Sequence, residues 1–328
     1  MRPLLAKHWF SILLALGIGA TLCFPHVVDH VTHFWNPYWT VAISLCLIAW
    51  TMPTQSLIAE LKQPYASLWA VFLSYGLVPV AGWALGMLAP DKDVRIGLIL
   101  VGSVPCTLSS AVLWTRMAGG NEATALLTVM GTTFLSFVMT TAWVSWLTAT
   151  DVQFPTGRLM LDLVVSLIVP TILGQAIRRV PPCKRFAERH KVAIGAISQC
   201  FVLAIVLKAG VSVGEKLHAE NALDAPRIFG WSVGLAVALH LLSLTGGLCS
   251  SRWLGLDRAR QIAVAFASSQ KTLPVSLMLY SEYFKIQYAY AVMPLLFYHV
   301  GQLLLDTMIA KRLRGETGTA EKVERPLV

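Results

Sequence analysis

Apolar stretches of nearly the length that crosses a lipid bilayer recur from one end of this 328-residue chain to the other. Hydrophobic residues make up 56% of the sequence and charged residues only 13%, a balance that no soluble core requires. Most of the surface must therefore face lipid. The chain is predicted to be an all-α integral membrane protein with the lipid bilayer as its principal partner.

Ten spans are predicted, with nine as the alternative because several spans are short or polar. The first five cover residues 10–24, 38–52, 67–88, 97–114 and 123–147. The second five cover residues 159–177, 192–213, 228–248, 261–280 and 288–310. Two basic residues before the first span would also fit a cleaved secretory signal, but no small-residue cleavage site ends the run. The first stretch is therefore interpreted as a helix.

An odd number of spans in each half forces a duplicated half to enter the membrane in the opposite sense. Ten spans thus predict two inverted five-helix repeats, residues 1–150 and 151–314, followed by a polar cytoplasmic tail, residues 315–328. Folds of this kind place substrates and ions near the bilayer midplane, at discontinuous helices.

Lysine and arginine are distributed unevenly between the two sides of the predicted spans. The side that carries the N-terminus holds 18 of them and the opposite side holds 6. Cytoplasmic loops retain these residues, so both termini are predicted to be cytoplasmic. The same bias explains the net charge of +9, and nucleic acid is not expected as a partner. The six cysteines have no metal-binding spacing.

Polar runs that contain proline occur at matching positions in the fourth and ninth spans. They read Val-Pro-Cys-Thr-Leu-Ser-Ser at 104–110 and Ser-Ser-Gln-Lys-Thr-Leu-Pro at 268–274. A proline in mid-span removes a backbone hydrogen bond, and nearby hydroxyls and amides can satisfy the freed groups or coordinate a small cation. Close helix packing would explain the small residues but not Gln270 and Lys271. The candidate binding residues are Thr107, Ser109, Ser110, Ser268, Ser269, Gln270, Lys271 and Thr272.

Four ionisable residues within spans need separate interpretations. Lys271 lies in mid-span, where a charge is costly unless paired or hydrated and usually marks function; snorkelling from a span end is the alternative. Lys208 lies nearer a span end and is predicted to snorkel. His299, with Gln302 one turn further on, is a second candidate binding site. His240 is predicted to be structural.

Three motifs resemble the bile acid:sodium symporter superfamily, and in particular its bacterial symporter-like branch. They are Pro-Cys-Thr-Leu-Ser-Ser-Ala at 105–111 with Met-Ala-Gly-Gly-Asn at 117–121, Ser-Gln-Lys-Thr-Leu at 269–273, and Pro-Leu-Leu-Phe-Tyr-His-Val-Gly-Gln-Leu at 294–303. The resemblance implies that discontinuous helices four and nine cross in a core domain of helices 3–5 and 8–10. A panel domain of helices 1, 2, 6 and 7 would lie beside it. A multi-pass protein of the bacterial inner membrane is implied as well.

In sodium-binding members of that superfamily, a Ser-Asn pair of helix four, hydroxyls of helix five and a glutamate of helix nine hold one sodium. Ser109 and Ser110 match that pair, with a serine in place of the asparagine, and Thr124 and Thr128 fall within one residue of the helix-five hydroxyls, so these four make a possible sodium set. Asn121 joins the candidate binding residues through its motif. The glutamate motif is absent, Lys271 stands in its neighbourhood, and Ser74 replaces the glutamine of a second sodium site. We therefore hypothesise that Lys271 takes the place of a bound sodium. Protonated, it would hold the crossing together; neutral, it would release it and serve proton coupling.

These features predict a secondary active transporter, a cation-coupled symporter of an organic anion, with an alternating-access site at the crossing. A regulatory or signalling membrane protein that keeps the transporter fold but moves little or no substrate is the alternative. An enzyme is not expected, because the sequence contains no G-x-S-x-G or H-E-x-x-H motif and no motif that pairs two intramembrane aspartates. Apart from the possible sodium ion, no cofactor is expected.

Overall fold

The structure, a computed structural model, describes residues 2–53, 60–148, 155–219 and 225–323. Most of these residues are helical, and none of them forms a strand. Among the described residues, seven helices are long and apolar enough to cross a membrane: Tyr65–Gly86, Glu122–Leu147, Thr156–Arg179, Lys191–Glu215, Pro226–Trp253, Arg258–Phe284 and Ala289–Arg314. An eighth is added if the bent pair Ile12–Cys23 and Pro25–Thr32 forms one span. The described helices therefore agree with an integral membrane protein.

We label the described helices in chain order. The first seven are α1 (Arg2–Cys23), α2 (Pro25–Thr32), α3 (Pro37–Thr51), α4 (Tyr65–Gly86), α5 (Lys92–Ser103), α6 (Ser110–Met117) and α7 (Glu122–Leu147). The next seven are α8 (Thr156–Arg179), α9 (Pro181–Arg189), α10 (Lys191–Ala219), α11 (Ala225–Trp253), α12 (Arg258–Ser269), α13 (Leu273–Leu279) and α14 (Val292–Val323). Each predicted span overlaps one helix, except that the fourth and ninth each overlap a pair.

Two boundaries differ from the predicted organisation or fall outside the described residues. The last helix continues to Val323, well into the segment predicted as a polar tail. The predicted boundary between the two repeats, at residues 150 and 151, and the end of the tail, residues 324–328, lie outside the described residues.

The helices form two sets of mutual contacts. In one, α3 packs against α8 and α10, and α1 packs against α10. In the other, α11 packs against α12 and α14, α4 packs against α5 and α7, and α7 also packs against α12. Gly174 allows the close approach of α8 to α3, because a Cβ there would lie 2.9 Å from the backbone nitrogen of Trp50 and 3.0 Å from the Ala49 Cβ. The first set borders the candidate site through α3 and α10.

Candidate functional site

Two interruptions of the helices contact each other inside the protein. One lies between α5 and α6 (residues 104–109) and the other between α12 and α13 (residues 270–272). Val104 precedes a proline, which disfavours helical backbone, and it adopts an extended conformation with φ −79° and ψ 159°. The backbone nitrogen of Thr272 donates a hydrogen bond to the carbonyl of Pro105 at 3.1 Å. A direct backbone hydrogen bond therefore joins the two interruptions.

The Lys271 side chain lies at this junction and is 1% exposed. Its ammonium donates to the Ser74 carbonyl at 2.7 Å, the Ser74 hydroxyl at 3.0 Å and the Val104 carbonyl at 3.0 Å. The ring centroid of Tyr75 lies 5.6 Å from the same nitrogen. An ammonium has three donors, so each can meet one of these three oxygens.

The Ser74 carbonyl is free to accept because of a π-helical turn in α4 at Leu73–Leu77. In that turn the backbone nitrogen of Val78 donates to the carbonyl of Leu73, five residues earlier. The corresponding donor for Ser74 would be Pro79, which has no N–H. The sequence indicated only that Ser74 replaces a sodium-binding glutamine, whereas in the structure Ser74 is a hydrogen-bond partner of Lys271.

The three oxygens around Lys271 are the kind of ligand that small hard cations prefer. The ammonium nitrogen occupies the position from which all three are within hydrogen-bonding distance. The three oxygens therefore fit the ammonium group of Lys271, which takes the position that a bound cation would have.

One face of α14 holds the interruption between α12 and α13. The Tyr298 hydroxyl donates to the Ser269 carbonyl at 2.6 Å. Four residues further along the same face, Gln302 accepts from the Lys271 backbone nitrogen at 3.0 Å and donates to the Lys271 carbonyl at 3.1 Å. These two bonds fix the orientation of the Gln302 amide, whose nitrogen also lies 3.0 Å from His299 Nδ1. His299 Nδ1 must then accept, so a neutral His299 ring carries its proton on Nε2.

Gln270 joins a second group of polar side chains. Its carbonyl oxygen accepts from the Ser110 hydroxyl at 2.8 Å, and its amide nitrogen donates to Asp306. The other carboxylate oxygen of Asp306 lies 2.8 Å from His240 Nε2, and both side chains are completely buried. Asp306 was not among the predicted site residues, although it is a charged residue within a predicted span and lies one turn beyond Gln302. His240 was predicted to be structural, without a named partner.

A cavity of about 410 Å³ lies beside the two interruptions. Apolar side chains predominate in its lining, as in most small-molecule sites. Its polar lining includes five of the predicted residues: Thr107, Ser109, Ser110, Thr272 and His299. The hydroxyl of Thr107 is buried and has no hydrogen-bond partner among the described residues. The end of α3 and the start of α10, with Thr51 and Lys191, form another part of the wall.

Three of the four possible sodium ligands have other partners in the structure. Ser110 binds Gln270, as described above. Thr124 donates to the buried carboxylate of Glu60 at 2.6 Å. Thr128 donates to the Thr124 carbonyl of its own helix at 2.9 Å. Ser109 lies at the start of α6 without a side-chain capping bond and lines the cavity.

The remaining predicted residues have local roles. Asn121 caps α7 by accepting from the backbone nitrogens of Ala123 and Thr124 at 3.0 and 3.2 Å. Ser268 and Ser269 donate to the Ala265 carbonyl at 3.3 and 2.9 Å. Lys208, predicted to snorkel, donates to the carbonyls of His33 and Trp35 near the start of α3.

Comparison with known protein families gives one match over nearly the whole chain. The model of the SBF-like CPA transporter family matches residues 8–315. This range includes every predicted site residue and the buried pair of His240 and Asp306.

Curated relatives have low but extended identity to the chain. A probable sodium/metabolite cotransporter of Arabidopsis thaliana, BASS4, chloroplastic, is 30% identical over 245 residues, 71% of this chain and 56% of the plant protein. The alignment therefore covers less than two thirds of that relative's length. Sodium/bile acid cotransporter 7 of Xenopus tropicalis is 26% identical over 76% of this chain and 69% of its own length. The Mus musculus protein of that name is 24% identical over 98% of both chains.

Proposed function

We propose that this chain is a secondary active symporter of an organic anion. It belongs to the SBF-like CPA transporter family of the bile acid:sodium symporter superfamily. Family membership establishes a multi-pass membrane transporter rather than an enzyme. The substrate class and the coupling ion are the parts that we propose. The cavity beside the two contacting interruptions is the observation on which the proposal depends.

For the architecture, we propose ten transmembrane helices in two inverted repeats. Helices four and nine would be the pairs α5–α6 and α12–α13, which supply the two interruptions. Helices 1, 2, 6 and 7 would form the panel and helices 3–5 and 8–10 the core. The excess of basic residues on one side supports cytoplasmic termini, and the resemblance of the motifs supports a bacterial inner membrane.

The proposed coupling follows from the contacts of Lys271. Its ammonium binds oxygens of α4 and of the first interruption, where a cation would otherwise be needed to join them. A neutral amine would leave one of those oxygens without a donor, so the protonation state of Lys271 would be linked to the geometry of the crossing. Sodium-independent transport is the consequence.

Alternating access is supported by contacts at the two ends of α3. The cavity adjoins Thr51 at the end of α3. At its start, Tyr38 donates to Asp162 of α8 at 2.8 Å, and Tyr283, which follows α13, donates to the same carboxylate. The helix has 15 residues, so the two ends lie roughly 20 Å apart. We propose that the cavity is the open side of the transport path. Asp162, Tyr38 and Tyr283, which we call the Asp162 cluster, close the other side.

An organic anion fits the polar groups in an otherwise apolar cavity. His299 Nε2–H and the Thr107 hydroxyl, which has no partner among the described residues, can donate hydrogen bonds to a carboxylate or sulfonate, while apolar lining would cover the rest of the molecule. A regulatory protein on the same fold is the second candidate, favoured by the absence of the helix-nine sodium glutamate.

We expect purified protein in proteoliposomes to take up at least one labelled organic carboxylate or sulfonate. Uptake should be equal in sodium and choline buffers, because Lys271 already occupies the cation position, and should respond to a pH gradient. Protein-free liposomes and the His299→Gln variant are the controls. Acceleration by about tenfold in a sodium gradient would contradict the role given to Lys271. If none of the tested carboxylates and sulfonates is taken up, the regulatory alternative is favoured.

Weakening the Asp162 cluster should shift the transporter away from the state with the open cavity. Asp162→Asn replaces charge-assisted hydrogen bonds with neutral ones, a loss of about 1 kcal/mol. Labelling of a Ser109→Cys reporter in the cavity should then slow by about fivefold.

The matched control is Arg158→Gln. Its guanidinium lies 4.0 Å from Asp162 but its side chain is 72% exposed, so its removal should leave the labelling rate within a factor of about two. Equal rates for Asp162→Asn and Arg158→Gln would show that the cluster does not close the path.

A further inference from the structure

The completely buried pair of His240 and Asp306 has no part in the mechanism above. His240 belongs to α11 and Asp306 to α14, and the hydrogen bond between them is 2.8 Å long. A buried carboxylate is expensive unless it is paired and hydrogen-bonded. The second ring nitrogen, His240 Nδ1, is also buried and has no hydrogen-bond partner among the described residues. The pair therefore contains one nitrogen that is not committed to another group.

The pair can accept one proton without changing its hydrogen bond. With a neutral His240, Nε2–H donates to the Asp306 carboxylate, Nδ1 keeps its lone pair, and the pair has a net charge of −1. A proton that binds Nδ1 converts the ring to imidazolium and makes the pair neutral. No other bond forms or breaks in this step.

A chain of hydrogen bonds links the pair to the cavity. The Asp306 oxygen that does not contact His240 accepts from Gln270, and Gln270 accepts from Ser110, which lines the cavity. The Asp306 carboxylate stays ionised in both states, but beside an imidazolium its negative charge is balanced at close range, and hydrogen bonds in one chain polarise one another. The charge of the pair therefore influences how firmly Gln270 and Ser110 are held.

The remaining polar and ionisable groups near the pair have other partners and do not bind it. From α14, the Tyr298 ring faces His240 edge-on, with centroids 5.5 Å apart, and its hydroxyl binds the Ser269 carbonyl. Lys271 directs its ammonium to α4 and the first interruption. The cations of α6 and α12 with described partners bind elsewhere: Arg116 to Glu122, and Arg260 to Tyr65 and Gln63. Those of α14 follow Asp306 by at least five residues.

We propose that His240 and Asp306 form a proton-binding site that is coupled to the cavity through Gln270 and Ser110. The proposal rests on the proposed transport function, because it supplies a coupling proton in addition to Lys271. Proton binding at the pair loosens the Gln270–Ser110 link, and an anion bound in the cavity changes the proton occupancy in return.

The test replaces both residues of the pair with amides and measures how accessible the cavity is to a labelling reagent. His240→Gln combined with Asp306→Asn keeps a hydrogen bond between the two helices but removes both ionisable groups. The probe is maleimide labelling of a Ser109→Cys reporter, measured from about pH 5.5 to about pH 8 and corrected for thiolate content. We expect the corrected rate to change by about threefold or more with pH in the parental reporter chain and to depend clearly less on pH in the double variant, which keeps only the contributions of Lys271 and His299. His190→Gln, an exposed ring outside the site, is the control and should behave like the parent.

A second measurement does not require the double variant to fold. In ring-labelled ¹⁵N-histidine spectra of a His299→Gln chain, His240 is the one buried ring among the histidines whose side chains are described. A solvent-protected ring that titrates over the same pH range supports the site, and protected rings that do not titrate overturn it. Labelling that depends on pH equally in parent and double variant also overturns it. Neither measurement uses substrate, so a failed uptake assay would refute transport without touching this result.

Discussion

Replacing Lys271 with alanine is expected to destabilise the protein severely and to abolish transport. The substitution leaves the two Ser74 oxygens and the Val104 carbonyl in a buried site without their shared donor. Each unsatisfied buried group costs about 1–3 kcal/mol. The sum is a large fraction of a typical stability of about 5–15 kcal/mol. Since the same contacts join α4 to the first interruption, the crossing should lose its geometry as well.

The same substitution tests whether Lys271 replaces a cation. Alanine vacates a space surrounded by three oxygens, which are suitable ligands for sodium. We therefore expect sodium chloride to raise the thermal unfolding midpoint of Lys271→Ala above its value in choline chloride. The wild-type midpoint should be the same in both salts, because the ammonium already fills the space. Thermal unfolding of the detergent-purified proteins, followed by tryptophan fluorescence, measures both effects.

Lys208→Ala is the matched control for this experiment. Lys208 also donates its ammonium to backbone carbonyls, those of His33 and Trp35, but it lies near the start of α3, away from the cavity. Its loss should lower stability less and should create no sodium response. If Lys271→Ala folds with wild-type stability and transports with unchanged ion dependence, the role proposed for Lys271 is wrong.

The membrane character and the positions of the helices could be predicted from the sequence because they depend on local pattern. Apolar stretches of sufficient length indicate helices wherever the solvent is lipid. The interruptions were also locally encoded: Pro105 disfavours helix at Val104, and Pro274 is tolerated only in the first turn of a new helix. The polar residues beside both prolines pointed to the site for the same reason.

The partners of the site residues could not be predicted in the same way. Lys271 and Ser74 are 197 residues apart, and Gln270 and Ser110 are 160 apart. Such pairs depend on how helices pack, which periodicity does not specify. Asp306 was the avoidable omission, since an aspartate inside an apolar span is costly enough to require a partner. A four-residue interval from Gln302 would have placed it on the same face of the helix.

Replacing Gln302 with methionine is expected to have the second largest effect on stability. Gln302 satisfies both the buried backbone N–H and the carbonyl of Lys271, neither of which has a helical partner in the interruption. Methionine has a similar length but leaves both groups unpaired, a cost of about 2–6 kcal/mol at the usual cost per group. His299 also loses the donor that fixes its tautomer. Unfolding in mixed micelles, with Gln287→Met at an exposed position as the control, measures the difference.

The double variant Lys271→Ala/Gln302→Met tests whether the two side chains stabilise the same segment, the interruption between α12 and α13. Lys271 holds the interruption through the hydrogen bonds of its ammonium. Gln302 holds it through hydrogen bonds to the backbone N–H and carbonyl of Lys271. Once either is lost the segment can move, so the second loss should cost less than it does alone. We expect the double variant to be more stable than the sum of the single losses by about 1 kcal/mol or more. Additive losses would mean that the Lys271 side chain and its backbone are held independently. A loss for Gln302→Met within about 0.5 kcal/mol of Gln287→Met would show that α14 does not hold the interruption.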